Sequence, residues 1–250
     1  MTVVKDDPQG LADTVGSLDS QDSSMSVEHL VIDGSSEAND VPTSDSVGGF
    51  VHRIILRQPA QGVYAAMNLG LSASTGDYVW FINAGDTLAS TRTLASVQQL
   101  TETQPAWIVG RVRITDRSGQ SIDSSAWEFT RERERLFAGG HFPPHQGTIA
   151  QRALLQDLGG FDENYRICAD YHVALRLAQR DTPLMTNEVL ACFSEGGLST
   201  QRWRTAHREF HRARMAVFTP TGWDRVSEQG RTWATFAREF IHRSVLRADR

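Results

Sequence analysis

Cysteine is nearly absent from this chain of 250 residues, and the two that occur form no familiar metal or redox motif. Cys168 and Cys192 lie outside any C-x-x-C pair and away from histidines at ligand spacing, which argues against a zinc module. The simplest interpretation is a reduced, cytoplasmic protein. One disulfide between the two cysteines is the alternative.

Several nucleotide-binding and hydrolase motifs are missing as well. The chain contains no G-x-G-x-x-G, no Walker sequence and no G-x-S-x-G, so the usual dinucleotide, P-loop and serine-hydrolase chemistries are not expected. No apolar run reaches the roughly 20 residues that cross a bilayer. The opening residues, MTVVKDDPQG, lack the basic and apolar regions of a signal peptide. We therefore expect a soluble protein.

Net charge is small overall and uneven along the chain. The value of -5 at pH 7 argues against nucleic acid as a partner. Residues 201–250 hold eleven arginines against five acids, so a basic extension follows an acidic body. Such an extension is compatible with peripheral contact to an anionic membrane and, equally, with a solvated helical face.

Apolar runs and helical spacings alternate over the first part of the chain. Leu11, Val15 and Leu18 recur at helical spacing, and residues 63–75 show a second helical pattern. This alternation favours an α/β fold with a mostly parallel central sheet flanked by helices. Ligands in such folds collect beyond the carboxyl ends of the strands. The predicted strands are residues 2–4, 29–32, 53–56, 78–82 and 107–114.

The second half of the chain predicts further helices joined by a loop. Thr130 to Arg135 is a run of alternating charge, which is typical of a solvated face. Residues 139–145 contain two glycines and two prolines and are predicted to form a loop. The predicted helices are residues 94–100, 151–158 and 171–180, followed by basic amphipathic helices over 201–218 and 230–246.

Three carboxylates stand out, each with a structural alternative. Asp86 follows a buried strand in Asn83-Ala84-Gly85-Asp86, where it could hold a divalent cation or cap a turn. Asp33 ends another strand and could bind a base or a ribose hydroxyl, or form an Asx-turn. Asp170, in Cys-Ala-Asp-Tyr-His, could act as a general base or cap a helix.

Taken together and in order, these segments resemble the family-2 glycosyltransferases of the GT-A fold, in particular the branch of exopolysaccharide or colanic-acid-type biosynthesis. The resemblance covers about residues 2–200. It implies a GT-A domain over residues 1–200 and a basic helical extension over 201–250. The segments that carry it are TVVKDDPQGLADTVGSLDSQ, EHLVIDGSS, GVYAAMNLGLSASTGDYVWFINAGD, HQGTIAQRALLQDLGGFDENYRICADYHVALRLA and FSEGGLS.

The resemblance implies a role for each site residue. Asn83 to Asp86 looks like the family's DxD-type element, with Asp86 binding Mg or Mn on the donor diphosphate. Asp170 would be the base that activates the acceptor hydroxyl for a single displacement with inversion. His145 and Gln146 match a loop on the acceptor side. The residues that the resemblance assigns to the nucleotide-sugar are Asp33, Tyr64, Asn68 and Asn83.

The protein that this resemblance implies is a metal-dependent, inverting glycosyltransferase of polysaccharide biosynthesis. It would move a sugar from a nucleotide-diphosphate-sugar donor to a hydroxyl of a glycan or lipid-linked acceptor, in the cytoplasm or peripherally at the inner face of the membrane. Relatives often carry charged residues at the places of Gln58, Ala60, Ala65 and Leu69. These departures motivate the alternative of a catalytically inactive GT-A-like module that binds a sugar nucleotide or acts as a scaffold.

A nucleotidyltransferase that forms sugar nucleotides is a third class. It would need a Gly- and Arg-rich phosphate loop near residues 5–20, where the chain has only Lys5 and acidic neighbours.

Overall fold

The computed structural model of the protein describes residues 1–39, 51–58, 62–116, 118–139, 141–194 and 202–248, without the side chains of residues 235 and 238–248. Ala60 lies outside the described residues, as do residues 195–199 of the motif FSEGGLS.

A parallel sheet of three strands forms the amino-terminal part. Its elements are β1 (Thr2–Val4), helix α1 (Pro8–Asp19), β2 (Val27–Asp33), β3 (Val51–Arg57) and helix α2 (Val63–Ala73). Strand β2 lies between β1 and β3, and both pairings are parallel. The strands form where branched aliphatic side chains run together, and Val31 and Ile32 are completely buried. The predicted parallel sheet is confirmed for these strands.

Helix α1 begins where its sequence provides a cap. The carboxylate of Asp7 accepts the N–H of Gly10 at 2.9 Å, and Pro8 occupies the first turn, where a missing N–H is not needed. Leu11 and Val15 then pack against the parallel sheet. The helix therefore covers one face of the strands whose carboxyl ends carry Asp33.

A second, mixed sheet follows in the part of the chain that the structure describes. Its strands are β4 (Tyr78–Trp80), β5 (Thr87–Leu88), β6 (Trp107–Thr115), β7 (Ser121–Asp123), β8 (Thr148–Gln151) and β9 (Leu184–Ser194). The order is β4-β8-β6-β9-β5, with β7 beside β6, and of these pairings only β6 with β9 is parallel. The mostly parallel arrangement predicted from the sequence does not extend to this sheet.

Two of the strands that the sequence does not predict carry weak signals. Strand β8 runs without a break into a helix, and the pattern there indicates only the helix, over residues 151–158. Strand β9 carries the polar residues Thr186, Asn187 and Glu188 in its first half. The four residues of β8 are too few for a pattern of their own, whereas the second half of β9 contains a continuous apolar run, Val189 to Phe193, that is consistent with a strand.

The segment after β4 joins the two sheets. The N–H of Ile82 donates to the carbonyl of Met1 at 2.9 Å, and that of Ala84 donates to the carbonyl of Val3 at 3.1 Å. Of the predicted strand 78–82, only Tyr78–Trp80 belongs to the second sheet as β4. The residues that follow lie along β1 of the first sheet. This pairing brings the turn at Asn83 to Asp86 to the carboxyl ends of the parallel strands.

Six further helices complete the described chain. They are α3 (Thr93–Thr101), α4 (Phe129–Phe137), α5 (Arg152–Asp157), α6 (Ala169–Arg180), α7 (Trp203–Phe218) and α8 (Gly222–Ala248). The solvated face predicted for residues 130–135 is confirmed, because α4 buries only Phe129 and Leu136. Helix α8 begins eight residues before the predicted 230–246. Helix α7 packs Ala206 and Ala213 into the largest hydrophobic cluster, which also contains α6.

The structure bears on two further expectations, one about a disulfide and one about membrane-spanning helices. Cys168 and Cys192 are both free, so the disulfide alternative is wrong. Among the described residues, no helix is both long and apolar enough to cross a membrane.

Candidate active site

A cavity of about 690 Å³ opens between the turn after β4, the loop before β8 and the start of α6. The structure brings six of the eight predicted site residues to its wall: Tyr64, Asn83, Asp86, His145, Gln146 and Asp170. A second cavity of about 750 Å³ lies around Met25, Glu28 and Tyr78 and contains none of the predicted residues. The smaller cavity is the candidate active site because the reactive side chains converge there.

The turn that carries Asp86 is fixed by a glycine and by helix α1. Gly85 has φ +89°, a left-handed conformation that a side chain disfavours, and its N–H donates to the carbonyl of Gly10 at 2.9 Å. The hydroxyl of Thr14 donates to the carbonyl of Asp86 at 2.7 Å. Helix α1 thus holds the turn Asn83-Ala84-Gly85-Asp86 in place through Gly10 and Thr14. Asp86 lies at the cavity wall.

Asp86 is a buried carboxylate with few donors. Its Oδ2 accepts the side-chain amide of Gln146 at 3.1 Å and the N–H of Asn83 at 3.2 Å. Burial raises the pKa of Asp86, while the nearby His145 and these hydrogen bonds act in the opposite direction. A positive charge in the cavity would favour the ionised form.

The oxygens beside Asp86 fit a hard cation. The side-chain Oδ1 of Asn83 is buried without a hydrogen-bond partner among the described residues. A carboxylate and an amide oxygen are ligands that Mg²⁺ or Mn²⁺ accepts, and such ions commonly complete their shell with water and substrate phosphates. No group of three or more His, Cys, Asp or Glu side chains in the described ranges could hold a metal. The residues present therefore suit a cation shared with a ligand, and not one enclosed by the protein alone.

Asp170 lies on the first turn of α6, across the cavity from this turn. Its Oδ1 accepts the N–H of Tyr171 at 2.8 Å and lies 3.4 Å from the hydroxyl of Tyr64, which also donates to the carbonyl of Ile167. Its Oδ2 lies 3.5 Å from Nδ1 of His145. The side chain of Asp170 stays partly exposed, so a ligand hydroxyl can reach it.

His145 and Gln146 connect the two carboxylates. They lie in a 3-10 turn, His145–Gly147, whose position is set by the indole N–H of Trp80 donating to the carbonyl of Gln146 at 2.8 Å. Gln146 bonds Asp86, while His145 faces Asp170 through Nδ1 and the side-chain amide of Asn83 through Nε2 at 3.2 Å. One short turn therefore fixes the positions of Asp86 and Asp170 relative to each other.

Asp33 does not line this cavity, and its carboxylate is fully engaged. It is 1 % exposed and accepts N–H groups of Ser35 and Asn39 at 2.9 and 3.0 Å, together with the guanidinium of Arg57 at 2.7 Å. Burial raises the pKa of Asp33, but the hydrogen bonds outweigh it and lower the pKa to about 2. The bond to Ser35 is the Asx-turn that the sequence left open as an alternative.

Asn68 is also placed outside the wall of this cavity. Its amide group donates to the carbonyl of Phe161 at 2.8 Å and accepts the N–H of Phe161 at 2.9 Å, and it bonds Glu163. These bonds pin the loop that precedes α6. These bonds give Asn68 a structural role, and its predicted contact with the donor stays a prediction.

Several residues that line the cavity are not indicated by the sequence motifs. Arg166 stands four residues before Asp170, in one of the segments that carry the family resemblance, so its closeness in sequence to the candidate base is a usable signal. The cavity wall also contains Trp127, His141 and Phe142. The rings of Trp127 and His141 are in edge contact, with centroids 5.2 Å apart. Phe210 comes from α7, and nothing in its local sequence indicates that the extension reaches the cavity.

Comparison with known proteins gives a consistent picture. The family model described as Glycosyl transferase family 2 matches residues 1–159. An uncharacterized glycosyltransferase of Mycobacterium tuberculosis is 31 % identical over 210 residues, covering 81 % of this chain and 76 % of that protein. A PGL/p-HBAD biosynthesis glycosyltransferase of Mycobacterium bovis is 31 % identical over 203 residues, covering 77 % and 73 %.

Two solved structures show a similar fold. S. aureus TarS 1-349 in complex with UDP has a TM-score of 0.63 at 13 % identity, covering 96 % of this chain and 71 % of the TarS 1-349 chain. The mannosyltransferase PcManGT from Pyrobaculum calidifontis, in complex with GDP-Man and Mn²⁺, has a TM-score of 0.63 at 14 % identity, covering 100 % and 79 %. At these identities the likeness concerns the fold alone.

Proposed function

Since this chain belongs to glycosyl transferase family 2 and has a GT-A-like α/β fold, we propose that it is an inverting glycosyltransferase that uses a nucleotide-diphosphate-sugar. The acceptor is a hydroxyl of a glycan or of a lipid-linked acceptor. The observation that carries this proposal is the convergence of Asp86 and Asp170 on one cavity, bridged by His145 and Gln146.

Asp170 acts as the general base in this mechanism. The acceptor hydroxyl loses its proton to Asp170 as its oxygen attacks the anomeric carbon, a new C–O bond forms, and the bond to the nucleoside diphosphate breaks on the opposite face. His145 orients the Asp170 carboxylate from one side, and Tyr64 from the other. A single displacement of this kind inverts the anomeric carbon.

The leaving diphosphate binds near Asp86. Asp86 and the side-chain oxygen of Asn83 would hold Mg²⁺ or Mn²⁺, which when bound offsets the charge that develops on the diphosphate. The Mn²⁺ present in the PcManGT complex supports a metal requirement. The UDP and GDP-Man complexes of the structural neighbours support a nucleoside diphosphate donor. Asp33 remains the proposed contact for its nucleoside, which would have to replace one of the hydrogen bonds that the Asp33 carboxylate now accepts.

The acceptor proposal includes a membrane surface. On α8, Trp223, Val226 and Trp233 recur on one helical face and are 87, 59 and 66 % exposed. Tryptophan favours the membrane–water interface, and arginine is attracted to anionic lipid. We propose that residues 201–250 hold the enzyme at the cytoplasmic face of a membrane, where a lipid-linked acceptor for exopolysaccharide assembly is presented.

Vesicle sedimentation tests the membrane part. Wild type is expected to sediment with phosphatidylglycerol vesicles and not with phosphatidylcholine vesicles, and a Trp223→Ser, Trp233→Ser double variant is expected to stay in the supernatant. Equal sedimentation of wild type and variant would remove these side chains from the proposal. A Trp127→Phe variant serves as control because Trp127 is buried.

The transferase itself is tested with a donor panel. Purified protein is incubated with UDP-, GDP- and dTDP-sugars, with and without Mn²⁺ and a lipid extract, and nucleoside diphosphate release is measured. One donor is expected to give metal-dependent release that is lost in Asp86→Ala and in Asp170→Asn. Donor binding without release, and no effect of Asp170→Asn, would instead support the catalytically inactive module.

A further inference from the structure

Helix α7 holds a buried acid against the loop that leads to Asp170. Glu209 is 7 % exposed, and its carboxylate accepts three consecutive backbone N–H groups. The distances are 2.9 Å from Arg166, 2.8 Å from Ile167 and 3.1 Å from Cys168. Asp170 follows two residues after the last of these.

A carboxylate buried to this extent is costly unless several donors surround it. Three backbone N–H groups supply that compensation, and the amino end of α6 adds a favourable dipole. The residue at the N-cap position of α6, Cys168, does not cap the helix with its side chain. Glu209 therefore supplies from another helix the anion that the N-cap of α6 lacks.

Neighbouring turns of α7 hold the same loop. The guanidinium of Arg212 donates to the carbonyl of Asn164 at 2.7 Å and lies over the ring of Tyr165 at 4.0 Å. The thiol of Cys168 donates to the carbonyl of Ala206 at 3.5 Å. The loop 164–168 is thus fixed at both ends by one face of α7.

The same helix also forms part of the cavity wall. Phe210 packs edge-on against Tyr171 and Phe142, with ring centroids 4.9 and 5.7 Å apart, and lines the cavity. Glu209 and Phe210 are adjacent, so a shift of α7 would move the loop before Asp170 and the wall opposite it together.

We propose that Glu209 is a positioning residue for the base Asp170, so that helix α7 of the extension belongs to the catalytic apparatus. This inference rests on the proposed function of Asp170. By holding the backbone of residues 166–168, Glu209 fixes the first turn of α6 and with it the distances from Asp170 to His145 and Tyr64. Group transfer is sensitive to displacements on the order of 1 Å.

The test compares Glu209→Gln with Glu228→Gln in the full chain. Glu228 is the matched control because it is a second buried glutamate of the extension, 5 % exposed. It lies on the neighbouring helix α8 and pairs with Arg231 of α8 and with Arg214 near the carboxyl end of α7. Its carboxylate bonds these two arginines of the extension and not the loop 164–168. Both changes remove one buried negative charge from the extension, but only the first replaces an acceptor oxygen of the Asp170 loop with an NH2 group, which cannot accept the backbone N–H groups of that loop.

Two readouts decide the outcome. Glu209→Gln is expected to lower kcat by on the order of tenfold to a hundredfold with the donor KM within about twofold, whereas Glu228→Gln keeps kcat within about twofold per folded molecule. Hydrogen exchange of peptides spanning 164–170 is expected to quicken in Glu209→Gln only. Equal kcat losses in both variants, or unchanged exchange in Glu209→Gln, would overturn the inference.

The exchange readout separates this inference from the proposed function. If wild type turned over no donor, faster exchange at 164–170 would still show that Glu209 holds the loop before Asp170, and only the catalytic role of that contact would fail. Should Glu209→Gln not fold, Glu209→Asp replaces it, since it keeps the charge and withdraws the carboxylate by one methylene. Full protection together with full kcat in that variant would also overturn the proposal.

Discussion

Asparagine at position 33 should cost the protein a measurable part of its stability. The Asp33 carboxylate is almost completely buried and accepts hydrogen bonds from Ser35, Asn39 and Arg57. Its pKa falls from 3.8 to about 2 in the folded chain. One pKa unit corresponds to about 1.4 kcal/mol, so the ionised carboxylate contributes about 2 to 3 kcal/mol to the free energy of unfolding.

The contribution has a defined pH dependence. Because the folded-state pKa lies below the unfolded value, the stabilisation is fully present above the unfolded pKa and is lost as the pH falls through the folded pKa. Asp33→Asn should therefore lower the free energy of unfolding by about 2 to 3 kcal/mol near pH 7. The difference from wild type should shrink between about pH 5 and about pH 2.

Urea denaturation of both proteins across this range measures the effect. Asp157→Asn is the control, because Asp157 is exposed in a surface pair with Arg180 and should change stability by less than about 1 kcal/mol. A loss in Asp33→Asn no larger than in this control would refute the role of the buried hydrogen bonds. A loss that stays constant with pH would refute the ionised state of Asp33.

Two further predictions follow from the placement of single side chains. Asn68→Ala should destabilise the protein by about 1 to 3 kcal/mol, because it leaves the Phe161 backbone without these partners, and should leave donor Kd within about twofold. Titration calorimetry with nucleotide would contradict the loop role of Asn68 if the Kd of Asn68→Ala rose while its free energy of unfolding equalled that of wild type. Gln146→Leu removes a hydrogen bond that lowers the pKa of Asp86, so the acid limb of the pH–rate profile should move to higher pH. A profile that coincides with wild type would show that Asp86 ionisation does not limit turnover.

The early strands and the turn at residues 83–86 are readable from the sequence because their signals are local. Aliphatic runs such as Leu30 to Ile32 bury wherever they pair, and a strand that ends in Asn-Ala-Gly-Asp needs a glycine where φ is positive. The same holds for the solvated face at residues 130–135, which the charges alone indicate, although the helix α4 that carries it is not among the predicted helices. The order of motifs carries the family and, with it, the candidate residues Asp86 and Asp170.

The mixed second sheet is not readable in this way. Strand direction depends on how the chain returns to a neighbour, and β8 and β9 pair with β6 in opposite directions although they flank the same strand. The loop contact of Asn68 is unreadable from the sequence for a similar reason. Its side chain bonds a backbone 93 residues away, which no periodicity records.

What the sequence determined by itself is the set of reactive groups and the elements that carry them. Tertiary structure alone decided which groups meet: Gln146 reaches Asp86 across 60 residues, and Glu209 reaches Ile167 across 42. Local patterns report which side of an element is buried, because burial follows from spacing. They do not report the partner of a buried polar group, because that depends on how packed helices and strands bring distant donors and acceptors within hydrogen-bond distance.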